Sequence, residues 1–289
     1  MTFSDYEQYH AQLQYYTSEE GKMAYLDQGQ GPCLLMLHGV PTSGWLYRKI
    51  VPLLLGKGYR VIVPDMLGYG ASDKPEGYEV YSDKQMGKRL EALMKSLEIP
   101  TWTHVFHDGG GLWTWALLQR DSSKIERLIM LNTLVYQEGF KPPLKFEQGL
   151  IAKWYSRLYR SRLGQFFVIN PTFKNGIKNR SVVNKNMLEG YKTALLGDGD
   201  RAMYYFFTQT CQKLTDYSAL HRSLDIPLSV IWGDSDDMLV WAKIKEKVQA
   251  NFKVQAEDIH IIKGKHFIQE EQPALISQII LDILTKDRP

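Results

Sequence analysis

The chain has 289 residues, enough for one large α/β domain with an inserted lid and a sizeable core. Its 35 Lys and Arg residues against 32 Asp and Glu leave a net charge of +3, which is too small to indicate a nucleic-acid partner. No apolar run approaches the length that a membrane-spanning helix needs, so membrane insertion is not expected.

Short apolar runs alternate with segments of helical spacing along most of the chain. The predicted strands are residues 22–27, 33–37, 60–63, 103–106, 128–131, 228–232 and 259–262. Helical spacing of apolar residues predicts helices over residues 45–55, 82–97 and 112–119. Strands that alternate with helices imply right-handed crossovers, so we predict an α/β fold with a mostly parallel central sheet flanked by helices.

One interval breaks this alternation, because residues 132–228 contain no convincing strand. The interval is too long for a loop and indicates an inserted, mainly helical subdomain. We predict a helical cap at residues 136–215 and a core domain formed by residues 1–135 and 216–289. The cap carries 13 Lys and Arg residues against 5 Asp and Glu. A basic surface of this kind attracts anionic substrates or lipid, or is simply solvated.

The cysteines and the N-terminus favour a reducing compartment. Cys33 and Cys211 are the only cysteines, and they lie far apart in the chain, which suits neither a disulfide framework nor a metal site. Residues 1–14 lack the basic, apolar and small-residue zones of a signal peptide. We therefore expect a soluble, cytoplasmic protein that is monomeric by default, binds a small-molecule substrate and uses no metal or cofactor.

The most informative segment places a carboxylate between a strand and a helix. Asp108 follows the predicted strand 103–106, precedes the predicted helix 112–119, and is followed by three glycines. This arrangement is typical of a nucleophile elbow, a sharp turn that exposes one reactive side chain. The alternative is an Asp that only caps the helix N-terminus.

Three other segments follow strands and supply the partners that an Asp nucleophile needs. His266 is placed to be the general base, and Asp236 to accept its N–H and fix its tautomer. The backbone N–H groups of Val40 and Gly109 are the predicted oxyanion hole. The chain order nucleophile, acid, histidine favours the catalytic interpretation over a turn Asp and a loop His.

The expected chemistry has two steps. Asp108 is ionised at neutral pH and displaces a leaving group from a saturated carbon, which forms an aspartyl ester. His266 then takes a proton from water, and the water attacks the carbonyl carbon of that ester.

These motifs resemble the α/β-hydrolase superfamily, and within it the branch of haloalkane dehalogenases and epoxide hydrolases. The segments that carry the resemblance are residues 38–48, 63–75, 107–111 and 266–273. The resemblance implies an α/β-hydrolase fold with an inserted cap and an Asp nucleophile. It is less specific for the substrate, which we expect to be small and largely apolar.

Two departures from the dehalogenase pattern bear on the substrate. Dehalogenases usually hold the departing halide with a Trp directly after the nucleophile and an Asn in the oxyanion loop; this chain has Gly109 and Val40 there. Neither residue has a side-chain donor, so the usual halide site is absent. Trp113 and Trp154 are the candidate replacements. Phe106 occupies a position where a small residue is usual, and we expect it to tilt the turn.

Epoxide opening is less affected by these changes and is therefore slightly favoured. In the family it needs an acid for the ring oxygen, a role taken by cap tyrosines, and Tyr204 with Tyr205 is the first choice here. The other tyrosine candidates are Tyr155, Tyr159 and Tyr191. The predicted substrate-binding residues are His38, Trp113, Trp154, Tyr204 and Tyr205. The alternatives are a dehalogenase with a non-standard halide site, a hydrolase of lactones or other activated esters, and a ligand-binding protein without turnover.

Overall fold

An eight-stranded sheet forms the centre of the computed structural model, which describes residues 3–142 and 144–286. The strands are β1 Gln14–Ser18, β2 Gly21–Gln28, β3 Cys33–Leu37, β4 Arg60–Pro64, β5 Trp102–Asp108, β6 Ile125–Thr133, β7 Leu228–Gly233 and β8 Ile259–Ile262. The helices are α1 Tyr6–His10, α2 Val51–Leu55, α3 Asp83–Ser96, α4 Gly110–Arg120, α5 Leu150–Arg157, α6 Arg162–Gly176, α7 Lys185–Thr193, α8 Asp200–Tyr205, α9 Ser218–Ser223, α10 Lys245–Phe252, α11 Ile268–Glu271 and α12 Pro273–Lys286.

The strand order is β1-β2-β4-β3-β5-β6-β7-β8. The β1–β2 and β2–β4 pairs are antiparallel, and every other pair is parallel. All seven residues of β5 are buried, as expected for a strand that helices cover on both faces. The predicted fold class, a mostly parallel sheet flanked by helices, is confirmed.

Two elements differ from the sequence prediction. Strand β1 was missed because it is a largely exposed edge strand with no apolar run. The predicted helix over 45–55 is a short 3₁₀ turn, Gly44–Tyr47, followed by α2. Pro52 lies in the first turn of α2, where its missing N–H costs no hydrogen bond, so the chain begins a new helix there.

The segment between β6 and β7 contains helices and no strand among its described residues. It comprises α5 to α9, short 3₁₀ turns and one π-helical turn, Phe206–Thr210. This agrees with an inserted helical cap, while the division at residues 136 and 215 stays a prediction.

A buried ion pair ties the cap to the core. The Arg48 guanidinium binds the Glu270 carboxylate through two hydrogen bonds of 2.5 and 2.9 Å, and Lys49 Nζ lies 2.9 Å from Glu270 Oε2. The Tyr191 hydroxyl, on α7 of the cap, donates to Glu270 Oε1 at 2.7 Å. Burial raises the pKa of Glu270, but the charge and hydrogen bonds of Arg48 outweigh burial and lower it.

Replacing this carboxylate is expected to destabilise the protein strongly. Glu270→Gln leaves the Arg48 charge buried without its counterion, so the free energy of unfolding should fall by about 3–5 kcal/mol in urea denaturation. The loss should shrink as pH falls through the lowered pKa of native Glu270, because protonation then removes the same charge from the unaltered protein.

Glu91→Gln is the matched control. Glu91 pairs with Arg120 on the surface, where both side chains are at least one-third exposed. Its loss should cost less than about 1 kcal/mol. Equal effects of the two substitutions would contradict the stabilising role of the buried pair.

Candidate active site

Asp108 ends β5 in the left-handed backbone region, with φ of 50°. A non-glycine residue rarely adopts this conformation, and it persists only where neighbours enforce it. Here the Asp108 carbonyl accepts hydrogen bonds from Leu134 N at 3.0 Å and from Thr133 Oγ1 at 2.8 Å. The turn between β5 and α4 thus has the form of a nucleophile elbow.

Glycines permit the backbones around this turn to approach closely. A Cβ on Gly39 would lie 2.4 Å from Asp108 Oδ1, and a Cβ on Gly110 would lie 2.5 Å from the His38 carbonyl. Both contacts are too short for any side chain. The glycine run therefore serves the packing of α4 against the loop after β3.

Phe106 lies beneath the turn without displacing Asp108 from the site. Its ring is fully buried and packs edge-on against Trp115 of α4, with centroids 5.1 Å apart. The turn retains the contacts described above, so the structure gives no sign of the tilt that we expected.

Asp108, His266 and Asp236 lie together, although more than a hundred residues separate the first from the other two. His266 Nε2 is 3.3 Å from Asp108 Oδ2, and His266 Nδ1 is 2.9 Å from Asp236 Oδ2. All three residues are buried. With one carboxylate at each ring nitrogen, the imidazole is held in a fixed orientation.

Asn132 is part of this arrangement and was not found by sequence reasoning. It follows the buried core of β6, and its φ is 28°. Its Nδ2 donates to Asp236 Oδ2 at 2.6 Å, while its Oδ1 accepts from Gly233 N at 2.9 Å. Asn132 therefore fixes the Asp236 carboxylate between β6 and β7. The sequence did carry a signal for Asn132, since it is a polar residue directly after the apolar run 128–131.

His107 supports the loop that carries His266. Its Nε2–H donates to the His266 carbonyl at 3.0 Å. Burial lowers the pKa of His107 to about 3, so the ring is neutral and does not compete with His266 for protons. Phe267, the next residue, stacks on Phe173 of the cap with centroids 4.3 Å apart.

The pKa of each of these three residues depends on the charges of the other two. Burial lowers the pKa of His266, but the charges of Asp236 and Asp108 and the hydrogen bonds to them outweigh burial and raise it. Conversely, burial raises the pKa of Asp108, and its hydrogen bond and attraction to His266 bring it below the ordinary value. The two carboxylates thus favour the protonated form of His266, and His266 favours the ionised form of each carboxylate.

The predicted oxyanion donors bind Asp108 itself. Val40 N donates to Asp108 Oδ1 at 2.6 Å, and a hydrogen bond from the Gly109 backbone is among the contacts that lower the pKa of Asp108. Oδ1 is thus bound by the loop after β3, while Oδ2 faces His266 Nε2.

An apolar cavity adjoins this site. The cavity has a volume of about 40 Å³, which is room for a few water molecules. The lining residues are Val40, Pro41, Asp108, Phe140, Tyr159, Thr172, Met203, Phe206, Phe207, Met238, Leu239, His266 and Phe267.

His38 and Trp113 are buried near the site but do not line this cavity. His38 Nε2 accepts from Met66 N at 3.0 Å and its Nδ1–H donates to the Gly39 carbonyl at 2.8 Å, so neither nitrogen is left for substrate. Trp113 packs against the rings of His38 and Tyr69. Both residues pack around the loop after β3, and their role in substrate binding stays a prediction.

The cap residues predicted to bind substrate do not line the cavity either. Trp154 is 66% exposed on α5. The Tyr204 ring packs against Tyr78 with centroids 4.2 Å apart and the ring planes tilted by 34°. Tyr205 lines a separate depression with Asp83. Among the five candidate tyrosines, Tyr159 alone lines the cavity. Tyr204 and Tyr205 are not among the residues that line the cavity, and their role in substrate binding stays a prediction.

Two features are absent from the described residues. No group of three or more His, Cys, Asp or Glu side chains there is arranged to hold a metal ion. No helix in residues 3–142 and 144–286 is both long and apolar enough to cross a bilayer.

Comparison with known families agrees with this geometry. The alpha/beta hydrolase fold family model matches residues 32–273, most of the chain. The chain belongs to this family. It is an α/β-fold hydrolase related to haloalkane dehalogenases and epoxide hydrolases, as its motifs predicted.

Three relatives show the range of chemistry in this branch. A haloalkane dehalogenase of Psychrobacter cryohalolentis is 26% identical, over 92% of this chain and 88% of its own. A cis-3-alkyl-4-alkyloxetan-2-one decarboxylase of Shewanella oneidensis is 28% identical, over 87% and 86%. Bifunctional epoxide hydrolase 2 of Rattus norvegicus is 23% identical, over 92% of this chain and 54% of its own.

Proposed function

We propose that the protein hydrolyses small, largely apolar epoxides through an ester on Asp108. The observation that carries the proposal is the orientation of Asp108. One carboxylate oxygen accepts from Val40 N at 2.6 Å and the other lies 3.3 Å from His266 Nε2, beside an apolar cavity.

In the first step, Asp108 Oδ2 attacks a ring carbon and the carbon–oxygen bond of the epoxide breaks. The ring oxygen takes a proton from the hydroxyl of Tyr159. We assign Tyr159 as the acid because it lines the cavity. Burial raises the pKa of Tyr159 well above its ordinary value, so it carries its proton at neutral pH. The product of this step is a hydroxyalkyl ester of Asp108.

In the second step, His266 acts as the general base. Esterification removes the Asp108 charge, one of the two that raise the pKa of His266, so that pKa falls. The ring gives its proton to solvent, and solvent returns one proton to the Tyr159 phenolate left by the first step. Neutral His266 then takes a proton from water, and the hydroxide attacks the ester carbonyl. Val40 N–H and Gly109 N–H stabilise the oxyanion, and its collapse releases the diol and restores the carboxylate.

The cavity lining favours epoxides over haloalkanes. Its described residues offer one side-chain hydroxyl on Tyr159 and a second on Thr172, but Thr172 Oγ1 already donates to the Val168 carbonyl at 2.7 Å. A halide leaving into this cavity would have few donors, at a cost of several kcal/mol. An epoxide oxygen needs a single acid.

Two other substrates are retained as alternatives. Haloalkane dehalogenation is supported by the likeness to the Psychrobacter cryohalolentis relative over nearly the whole chain. A strained lactone is supported by the Shewanella oneidensis relative, whose name specifies an oxetan-2-one, a four-membered lactone. The same Asp108 would attack in each case.

A substrate panel tests the proposal directly. Terminal epoxides, chloroalkanes and bromoalkanes, and dialkyl oxetanones are incubated with the protein, and diol, halide and carbon dioxide are measured. We expect diol from epoxides as the main product. Halide without diol would identify a haloalkane dehalogenase, and carbon dioxide without diol would identify an enzyme that acts on strained lactones. No turnover of any substrate would favour the binding-protein hypothesis.

Tyr159→Phe is expected to lower the rate of diol formation by about 10²–10⁴-fold, because the ring oxygen then leaves without an acid. The measurement is the single-turnover rate of ester formation with an epoxide. Tyr155→Phe is the matched control, since Tyr155 lies four residues earlier and does not line the cavity. Unchanged rates in both variants would exclude Tyr159 as the acid.

A further inference from the structure

The outer face of α5 and α6 exposes an unusual number of large apolar side chains. Of the twelve such side chains that are exposed among the described residues, seven lie within residues 144–167. We call this set the cap face; its members are Leu144, Leu150, Ile151, Trp154, Leu163, Phe166 and Phe167. Scattered exposed apolar residues are ordinary, but a concentration of this kind marks an interaction surface.

The spacing shows that two helices each contribute one apolar stripe. On α5 the exposed residues Leu150, Ile151 and Trp154 share one side, while Ala152 and Ser156 face the interior. On α6 the exposed residues are Leu163, Phe166 and Phe167, again at helical spacing. Exposure reaches 83% for Leu150 and 74% for Leu163. These side chains contribute little to the core of the cap.

Basic residues border the apolar stripes. Residues 144–174 contain six Lys and Arg side chains and one acidic residue, Glu147. Arg160 and Arg162 are paired with carboxylates. The other four form no ion pair within residues 3–142 and 144–286: Lys145, Lys153, Arg157 and Lys174.

We propose that the cap face docks on the surface of a lipid bilayer with anionic headgroups. Apolar side chains enter the boundary between headgroups and acyl chains, and the unpaired cations bind the negative surface. The charge argues against a second copy seated on the same face, because that contact would bring two basic surfaces together. Docking is peripheral, since none of the described helices spans a bilayer.

The same helices connect this surface with the cavity. Tyr159, between α5 and α6, and Thr172, on α6, line the cavity beside Asp108. Docking would therefore position the cavity wall next to a reservoir of apolar molecules. The docking itself does not depend on which substrate bond Asp108 attacks, so it is tested apart from turnover.

Vesicle flotation of the full chain is the test. We expect the protein to float with phosphatidylcholine vesicles that contain about one third phosphatidylserine, and to bind pure phosphatidylcholine at least about tenfold more weakly. Lys153→Gln combined with Arg157→Gln should weaken binding to the anionic vesicles about twenty-five-fold, since each surface cation contributes about fivefold. Trp154→Ser combined with Phe167→Ser should abolish it.

The matched control is Leu53→Ser combined with Leu275→Ser, two exposed leucines outside the cap, which should bind like the unaltered protein. Circular dichroism and analytical ultracentrifugation of every variant accompany the flotation. Three results would overturn the proposal: no flotation of the unaltered protein, flotation that survives the Trp154 and Phe167 substitutions, or a dimer that those substitutions dissociate.

Discussion

A His266→Gln variant is expected to accumulate the ester on Asp108 instead of releasing product. Ester formation needs the Asp108 carboxylate and, for an epoxide, the Tyr159 acid, but no base. Ester hydrolysis needs a base for water, and the loss of that base costs about 10²–10⁴-fold. Gln retains a polar side chain of similar size between the two carboxylates. The substitution therefore separates the two steps.

Intact-mass spectrometry measures this outcome. An epoxide should add the mass of the whole substrate, and a haloalkane should add its alkyl group without the halogen. His10→Gln is the control, because His10 is an exposed residue of α1. An unmodified mass in the His266 variant, together with normal product release, would contradict the assigned role of His266.

Asp108→Asn is expected to reduce turnover by about 10⁴–10⁶-fold, as the loss of a nucleophile does in other covalent mechanisms. Asn is the appropriate replacement because it tolerates positive φ, which is 50° at this position, and has nearly the same shape. The variant should remain folded and bind substrate without reacting.

The measurement combines steady-state rates with mass spectrometry of the Asp108→Asn, His266→Gln double variant, which should show no added mass. Asp225→Asn, at an almost fully exposed carboxylate, is the control and should leave turnover unchanged. If the double variant were still modified, the covalent bond would lie on another residue.

Much of the fold could be predicted from the sequence because buried strands leave apolar runs. The predicted bounds of β3 and β8 coincide with the structure, and β5 extends by one residue before and two after its predicted range. The edge strand β1 was missed because solvent-exposed residues need no apolar pattern. The predicted class, an α/β-fold hydrolase, is confirmed by the family match over residues 32–273.

The core of the site was predictable for a related reason. Parallel strands end at one edge of the sheet, so the residues after β5, β7 and β8 had to lie near one another. The structure places Asp108, Asp236 and His266 within hydrogen-bonding or near hydrogen-bonding distance. Their catalytic roles, and the oxyanion role of Val40 and Gly109, stay predictions.

The cap could not be predicted in the same detail. Its helices carry aromatic residues on both faces, and the sequence alone does not tell which face covers the cavity. Tyr159 faces the cavity while Trp154, five residues earlier, faces solvent. Which cap residues face the cavity depends on how the cap helices pack against the core. The contacts are between Phe173 and Phe267 and between Tyr191 and Glu270.

The most direct test of the mechanism is a single turnover in ¹⁸O-labelled water with protein in excess over substrate. Water that attacks the ester carbonyl leaves one of its oxygen atoms in the carboxylate of Asp108, so we expect the label in the peptide that contains this residue and unlabelled product. Label in the product, with none in Asp108, would mean that water attacks the substrate directly and would contradict the covalent mechanism.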